Sequence, residues 1–198
     1  MITRDDAWSI LAEHTKGDSL RKHALAVETL MRAYAQKYGE DEESWGIVGL
    51  LHDFDYELHP EFPEHPMKGS EILRERGLPD ETVYAISSHV EAMNLPRNNL
   101  VCKAIFACDE IAGFLVASAL VRPGKSIIGM ETRSVRRKLK DKAFARSVNR
   151  EDIYKGANEL GVDLDEHIAF CIRALEGNAA ALGLDGLGNQ QVQPTNIS

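Results

Sequence analysis

Apolar residues recur along the chain at spacings of three and four, the period of a helix buried along one face, while runs alternating apolar with polar residues are nearly absent. Thr3 can cap a first helix running to about Thr15, with Trp8 and Leu11 inward. Asp18 can cap a second, whose inward positions are Leu20, Ala24, Val27, Leu30, Met31 and Tyr34 and which Gly39 ends. A third spans about 42–54, with Trp45, Val48 and Leu51 facing in. A loop rich in proline and acid follows at 57–65. Pro66 then suits the first position of a fourth helix, where a missing N–H is harmless, and Gly77 ends it. Pro79 opens a fifth, carrying Val83, Ile86, His89 and Val90. Residues 99–121 are apolar nearly all round, the pattern of a central helix. Further helices are expected near 134–144, from Asn149 to Gly161, and from Asp165 to about Gly183. The predicted fold class is all-α: one domain of eight or nine helices over 1–184, with its C-terminal helices at 130–184 and a polar, Gly-rich tail at 185–198.

Composition narrows the function classes. A chain of 198 residues, 43% hydrophobic and 27% charged, suits a single ordinary globular core and is too apolar for a disordered one. No stretch approaches the ~20 apolar residues that span a bilayer, and Met1–Asp6 lacks the basic start and apolar core of a signal peptide. Cys102, Cys108 and Cys171 are too few and too oddly spaced for a disulfide framework or a metal knuckle. They are expected to be reduced core residues of a cytoplasmic protein. The net charge of −8 argues against a stable nucleic-acid complex. Residues 122–146, with nine Lys or Arg against Glu131 and Asp141, are nevertheless +7, which leaves −15 on the rest. That segment is expected to be the solvated face of a helix in preference to a steering surface. A homodimer is expected on base rates alone.

The candidate chemistry lies where histidine and aspartate meet the apolar faces. His23 precedes Val27 by four residues and Leu30 by seven, which puts it on the buried face of the second helix. His52 follows Val48 by four and Trp45 by seven, with Asp53 beside it at the helix end. Asp109 lies among Ala107, Cys108, Ile111 and Ala112 on the most apolar helix, where an unpaired carboxylate is costly. One inward histidine is usually a hydrogen-bonded core residue. Three separate helices directing His or Asp into one core are better explained by a shared divalent cation.

The ordered set His23, His52-Asp53, Asp109 resembles the H…HD…D signature of the HD-domain metal-dependent phosphohydrolases. The context is similar too. Leu50-Leu51-His52-Asp53 resembles the family's LLHD stretch, and His65-Pro66-Met67-Lys68-Gly69-Ser70-Glu71-Ile72-Leu73 resembles the HPxxGxxIL element of its HDIG-like branch. Ile86-Ser87-Ser88-His89 and Phe106-Ala107-Cys108-Asp109 match the next two elements, so the likeness covers about 18–125. The chain departs from the branch at Phe54-Asp55, where the eponymous motif has Ile-Gly, and at Tyr56, where cyclic-dinucleotide phosphodiesterases often have Lys. A cyclic-dinucleotide substrate is therefore disfavoured.

The resemblance implies a helical fold in which His23, His52, Asp53 and Asp109 hold one divalent metal, with His65 and His89 binding a second that Asp53 bridges. The metal could be Fe, Mn, Co, Ni, Zn or Mg. It implies hydrolysis of a phosphate ester or anhydride of a small molecule, a nucleotide being favoured, by metal-activated hydroxide. Alternatives are a di-iron oxygenase on the same ligand set and a non-catalytic nucleotide sensor. Asp53 is the candidate catalytic carboxylate, with Asp55 and Glu57 further candidates for proton handling. Lys68, Arg122 and Lys125 are expected to meet the substrate phosphate. His59 is a rival to His65, and His14 and His167 receive no role.

Overall fold

The structure, a computed structural model, describes residues 2–187. Ten α-helices run through them: α1 (Arg4–His14), α2 (Asp18–Tyr38), α3 (Glu42–Leu51), α4 (Glu64–Glu75), α5 (Asp80–Ser87), α6 (Leu100–Leu120), α7 (Thr132–Lys140), α8 (Arg150–Leu160), α9 (Leu164–Gly177) and α10 (Ala179–Leu182). Among the described residues the extended pairing is a single antiparallel bridge between Ser126 and Asp185. The all-α reading is therefore correct, with one helix more than the upper expectation.

Local chemistry accounts for the boundaries. Thr3 and Asp6 form a reciprocal capping box at the start of α1, and Gly39 ends α2 in the left-handed region at φ 72°. Four expectations shift. Asp18 is the first residue of α2 and not its cap, which is Gly17 with no side-chain capping bond. The cap of α9 is Asp163, whose carboxylate accepts the N–H groups of both Asp165 and Glu166. The last helix breaks at Asn178 into α9 and α10. The third helix stops at Leu51, because the His52 ring N–H occupies the Gly49 carbonyl at 2.8 Å. The chain past α10 is pinned before it reaches the expected tail: Leu184 is buried, and its carbonyl accepts the Ile127 N–H. The remainder of that tail, 188–198, lies outside the described residues.

α6 is the central helix, packed against α2, α8 and α9, while α2 lies along α3. Its buried row includes Cys102, Ile105, Cys108, Ile111, Phe114 and Leu115. Two polar ties lock the helices that carry the site. Tyr34 Oη on α2 donates to His167 Nδ1 on α9 at 2.5 Å, and His167 Nε2 donates to the Ala107 carbonyl on α6 at 3.0 Å. Glu28, buried on α2, pairs with Arg4 (2.7 Å) and Arg32 (2.9 Å), so its charge is met from two sides. α8 approaches α6 closely through Gly156, where a Cβ would fall 2.7 Å from Ala107 Cα. All three cysteines are buried and free, as expected. No described helix is long and apolar enough to cross a membrane.

Candidate metal centre

Six side chains from five places in the chain converge on one cluster, and all but His52 line the cavity above it. His23 comes from the middle of α2, and Asp109 from the middle of α6. His52 and Asp53 follow the last residue of α3, His65 stands at the bend before the regular part of α4, and His89 follows α5 by two residues. The fifth-helix expectation is corrected here, since His89 lies past the helix end.

The helix ends matter because their last carbonyls have no partner within the helix. His52 Nδ1 donates to Gly49 O (2.8 Å) and His89 Nδ1 donates to Ile86 O (2.6 Å). His65 Nδ1 donates to a carboxylate, Asp55 Oδ1, at 2.9 Å. These bonds fix three tautomers and leave each Nε2 as the atom that takes a proton or a metal.

Those atoms form two groups that share Asp53. His23 Nε2 lies 3.1 Å from His52 Nε2 and 3.0 Å from Asp109 Oδ1, and Asp53 Oδ2 lies 3.4 Å from His52 Nε2 and 3.9 Å from His23 Nε2. On the other side, Asp53 Oδ1 lies 3.1 Å from His89 Nε2 and 3.3 Å from His65 Nε2, and those two nitrogens are 3.3 Å apart. Within each group, one donor atom per residue lies within 4.8 Å of all the others. Because both histidines of the second group donate from Nδ1, their Nε2 lone pairs point at one another and repel unless something positive stands between them. The donor set therefore fits a divalent cation in each group.

The electrostatics agree. Burial opposes charge on His52, yet Asp53 and Asp109 beside it hold the ring well above its ordinary pKa. Burial likewise opposes charge on Asp53 and Asp109, yet both are held well below the carboxylate range, chiefly by His52. For His65, burial is outweighed by hydrogen bonds to Asp53 and Asp55, and the ring is pushed up to about 9.

The cavity over this cluster measures about 540 Å³, within the range of small-molecule sites. Five carboxylates line it (Asp53, Glu91, Asp109, Glu110 and Asp152), with His23, His65 and His89. Leu20, Phe106, Val116, Leu120 and Val148 supply an apolar wall. Among the described lining residues there is no Lys or Arg. Glu110 and Asp152 are not singled out by the sequence, and Tyr56 stands out there only as a departure from the family pattern. Glu110 and Asp152 read there as ordinary polar positions on helices, and only the packing of α8 against α6 turns them to the cavity. Burial, with Asp109 adjacent, pushes the Glu110 carboxyl up to about 8.

The structure does not bring the expected phosphate-binding cations to this cavity. Arg122 folds its own loop, donating to the carbonyls of Ser126, Ile128 and Gly129. Lys68 pairs with Glu71 on an exposed face of α4, and Lys125 also lies outside the lining. Of the proton-handling candidates, Glu57 accepts the N–H groups of Lys16 and Gly17 (2.7 and 2.9 Å), and Asp55 is enclosed behind His65. His59 pairs with Glu64 and belongs to neither donor group. His167 is a core residue, 1% exposed.

The HD domain family model matches residues 20–113. The chain is 30% identical over 98 residues to ribonuclease Y of Desulfotalea psychrophila (strain LSv54 / DSM 12343). That alignment covers 49% of this chain but 18% of ribonuclease Y, so the chain spans a minor part of that relative's length. No solved structure matches the chain. The stretch that holds all six converging side chains thus matches an HD domain.

Proposed function

We propose that the protein is a metal-dependent phosphohydrolase that cleaves a phosphate ester of a small, nucleotide-sized molecule. The observation that carries this reading is the division of Asp53, one carboxylate oxygen toward His23, His52 and Asp109 and the other toward His65 and His89. Each half would hold one cation. Divalent cations at such a pair of seats supply Lewis acidity toward phosphoryl oxygens and an acidified water. The protein's own contribution is spacing and shape: Asp53 sets the separation of the seats, and the Phe106 and Val116 wall admits an apolar leaving group.

The charge of the cavity supports a single phosphoryl group over a polyphosphate. A di- or triphosphate tail carries further negative charge that would find Glu91, Glu110 and Asp152 and no lining Lys or Arg. Hydroxyl or amine donors on the substrate body suit those carboxylates better. Ribonuclease Y is named for RNA, but a long polyanion is held mainly by Lys and Arg contacts to its phosphates. This chain is −8 overall and its cavity is rimmed with acid, which favours a small ester.

The imidazole-rich donor set also favours a second reading, a di-iron oxygenase. The experiment is metal analysis of the purified chain with anaerobic phosphate release from a panel of mono-, di- and triphosphate esters. Metal-dependent release from monoesters is expected, absent in His52→Ala/Asp53→Ala at retained helicity. Full activity in that double variant would sink the proposal. Oxygen consumption without phosphate release would favour the second reading.

A further inference from the structure

Asp55 has a place in the site that neither a ligand nor a substrate contact describes. It is 1% exposed, does not line the cavity, and directs both oxygens at α4 and the bend before it. Oδ1 accepts the His65 Nδ1 proton at 2.9 Å and Oδ2 accepts the Gly69 N–H at 2.9 Å. Space for the carboxylate exists because residue 69 has no side chain: a Cβ there would stand 2.6 Å from Asp55 Cγ.

The need for a carboxylate follows from where His65 sits. His52 and His89 stand at helix C-terminal ends and borrow free carbonyls. His65 stands at the N-terminal end of the regular part of α4, where the free backbone groups are N–H donors and no carbonyl is at hand. A ring that must donate from Nδ1 there needs an acceptor from another element. The turn after α3 delivers one two residues beyond the bridging Asp53.

We propose that Asp55 is a positioning residue that holds the His65 ring and tautomer, so that the seat made by Asp53 Oδ1, His65 Nε2 and His89 Nε2 can bind a cation. Gly69 is the small residue that makes room for it. This rests on the reading above that the cluster binds metal, but not on any reaction there. The residue pair also accounts for one departure from the family pattern, the carboxylate standing where the HDIG motif has glycine.

The test is titration of Mn(II) into the metal-free full chain, read by bound-metal analysis and by the spin-coupled signal of a paired site. Wild type should bind two ions. Asp55→Ala should weaken the second by about 10–100-fold, the size of losing an outer-shell partner, and leave the first unchanged. Asp55→Asn, which keeps an acceptor oxygen, should recover part of the loss. If Asp55→Ala does not fold, Gly69→Ala displaces the same carboxylate and should weaken the same ion. Two wild-type affinities in Asp55→Ala or in Gly69→Ala would overturn the proposal, as would a wild-type chain binding one ion or none. Because the titration needs no turnover, selective loss of the second ion supports Asp55's role even in a chain that releases no phosphate.

Discussion

The Nε2 atoms of His65 and His89 face each other at 3.3 Å, although the residues stand 24 apart in the chain, and both rings have Nδ1 committed, to Asp55 and to the Ile86 carbonyl. Two neutral rings placed this way set lone pair against lone pair. Folding can hold them there at least cost when a cation sits between them and the flanking Asp53.

Metal binding should therefore stabilise the fold. A cation present at 100 times its Kd adds about 2.7 kcal/mol, and for a chain of this size roughly 2–4 °C accompanies each kcal/mol. Thermal melts with Mn(II) against a chelator should differ by roughly 5–10 °C. An unchanged melt, with bound metal verified, would show that the cluster bears no strain for the ion to relieve.

Gly156 sets the approach of α8 to α6, with Ala107 Cα and the Phe106 carbonyl close by. The obstacle to a side chain is backbone, which cannot swing aside. Gly156→Ala should cost about 1–3 kcal/mol through overpacking. Denaturant melts giving wild-type stability would mean the two helices can part without loss.

Arg97 joins the wall of the cavity to its surroundings. Its guanidinium lies 3.7 Å from the Phe106 ring centroid, pairs with Glu159 and Glu91 at 2.7 Å, and donates to the Ser88 carbonyl beside His89. Removing one partner of a fully buried ion pair typically costs 3–5 kcal/mol, and here the arginine is buried while Glu159 and Glu91 reach solvent. Lys155 also reaches Glu91 and Glu159, which cushions the loss. Arg97→Met should thus cost about 2–3 kcal/mol by denaturant titration. A cost under about 0.5 kcal/mol, the size of an exposed pair, would place the arginine among surface charges.

His167 gives the protein an acid limit. Burial lowers its pKa from the ordinary 6.5 to about 4. The unfolded chain therefore takes up the proton first, so stability is full above about pH 6.5 and falls as the pH drops toward 4. The loss at this residue amounts to about 3 kcal/mol at most. His167→Gln should have a correspondingly flatter stability profile between pH 6.5 and 4. Parallel profiles for the two proteins would remove His167 as the cause.

Charge reversal at Arg136 and Arg137 should leave KM and its salt dependence unchanged. Arg136 pairs with Asp165 on α9, and no residue of α7 lines the cavity. A rise in KM that fades with added salt would instead mark long-range steering.

Helical periodicity and several caps could be read from the residues in order, because each depends on neighbours within a few positions, whereas His65 and His89 entered only through the family resemblance. An apolar face that carries His23 or Asp109 is visible in the spacing alone. Which cations stand near the substrate was not legible: Arg122 follows the cavity-lining Leu120 by two residues, yet its loop turns it onto carbonyls. The roles of Asp55 and Glu110 also depended on tertiary structure, since a carboxylate's function is decided by what lies within about 3 Å of its oxygens. For Asp55 those neighbours are His65 and Gly69, ten and fourteen residues away. For Glu110 the neighbour is the Asn149 N–H, 39 residues on. Short-range pattern determined the helices and the inward His23 and Asp109 they carry, while packing alone decided which polar groups meet across them.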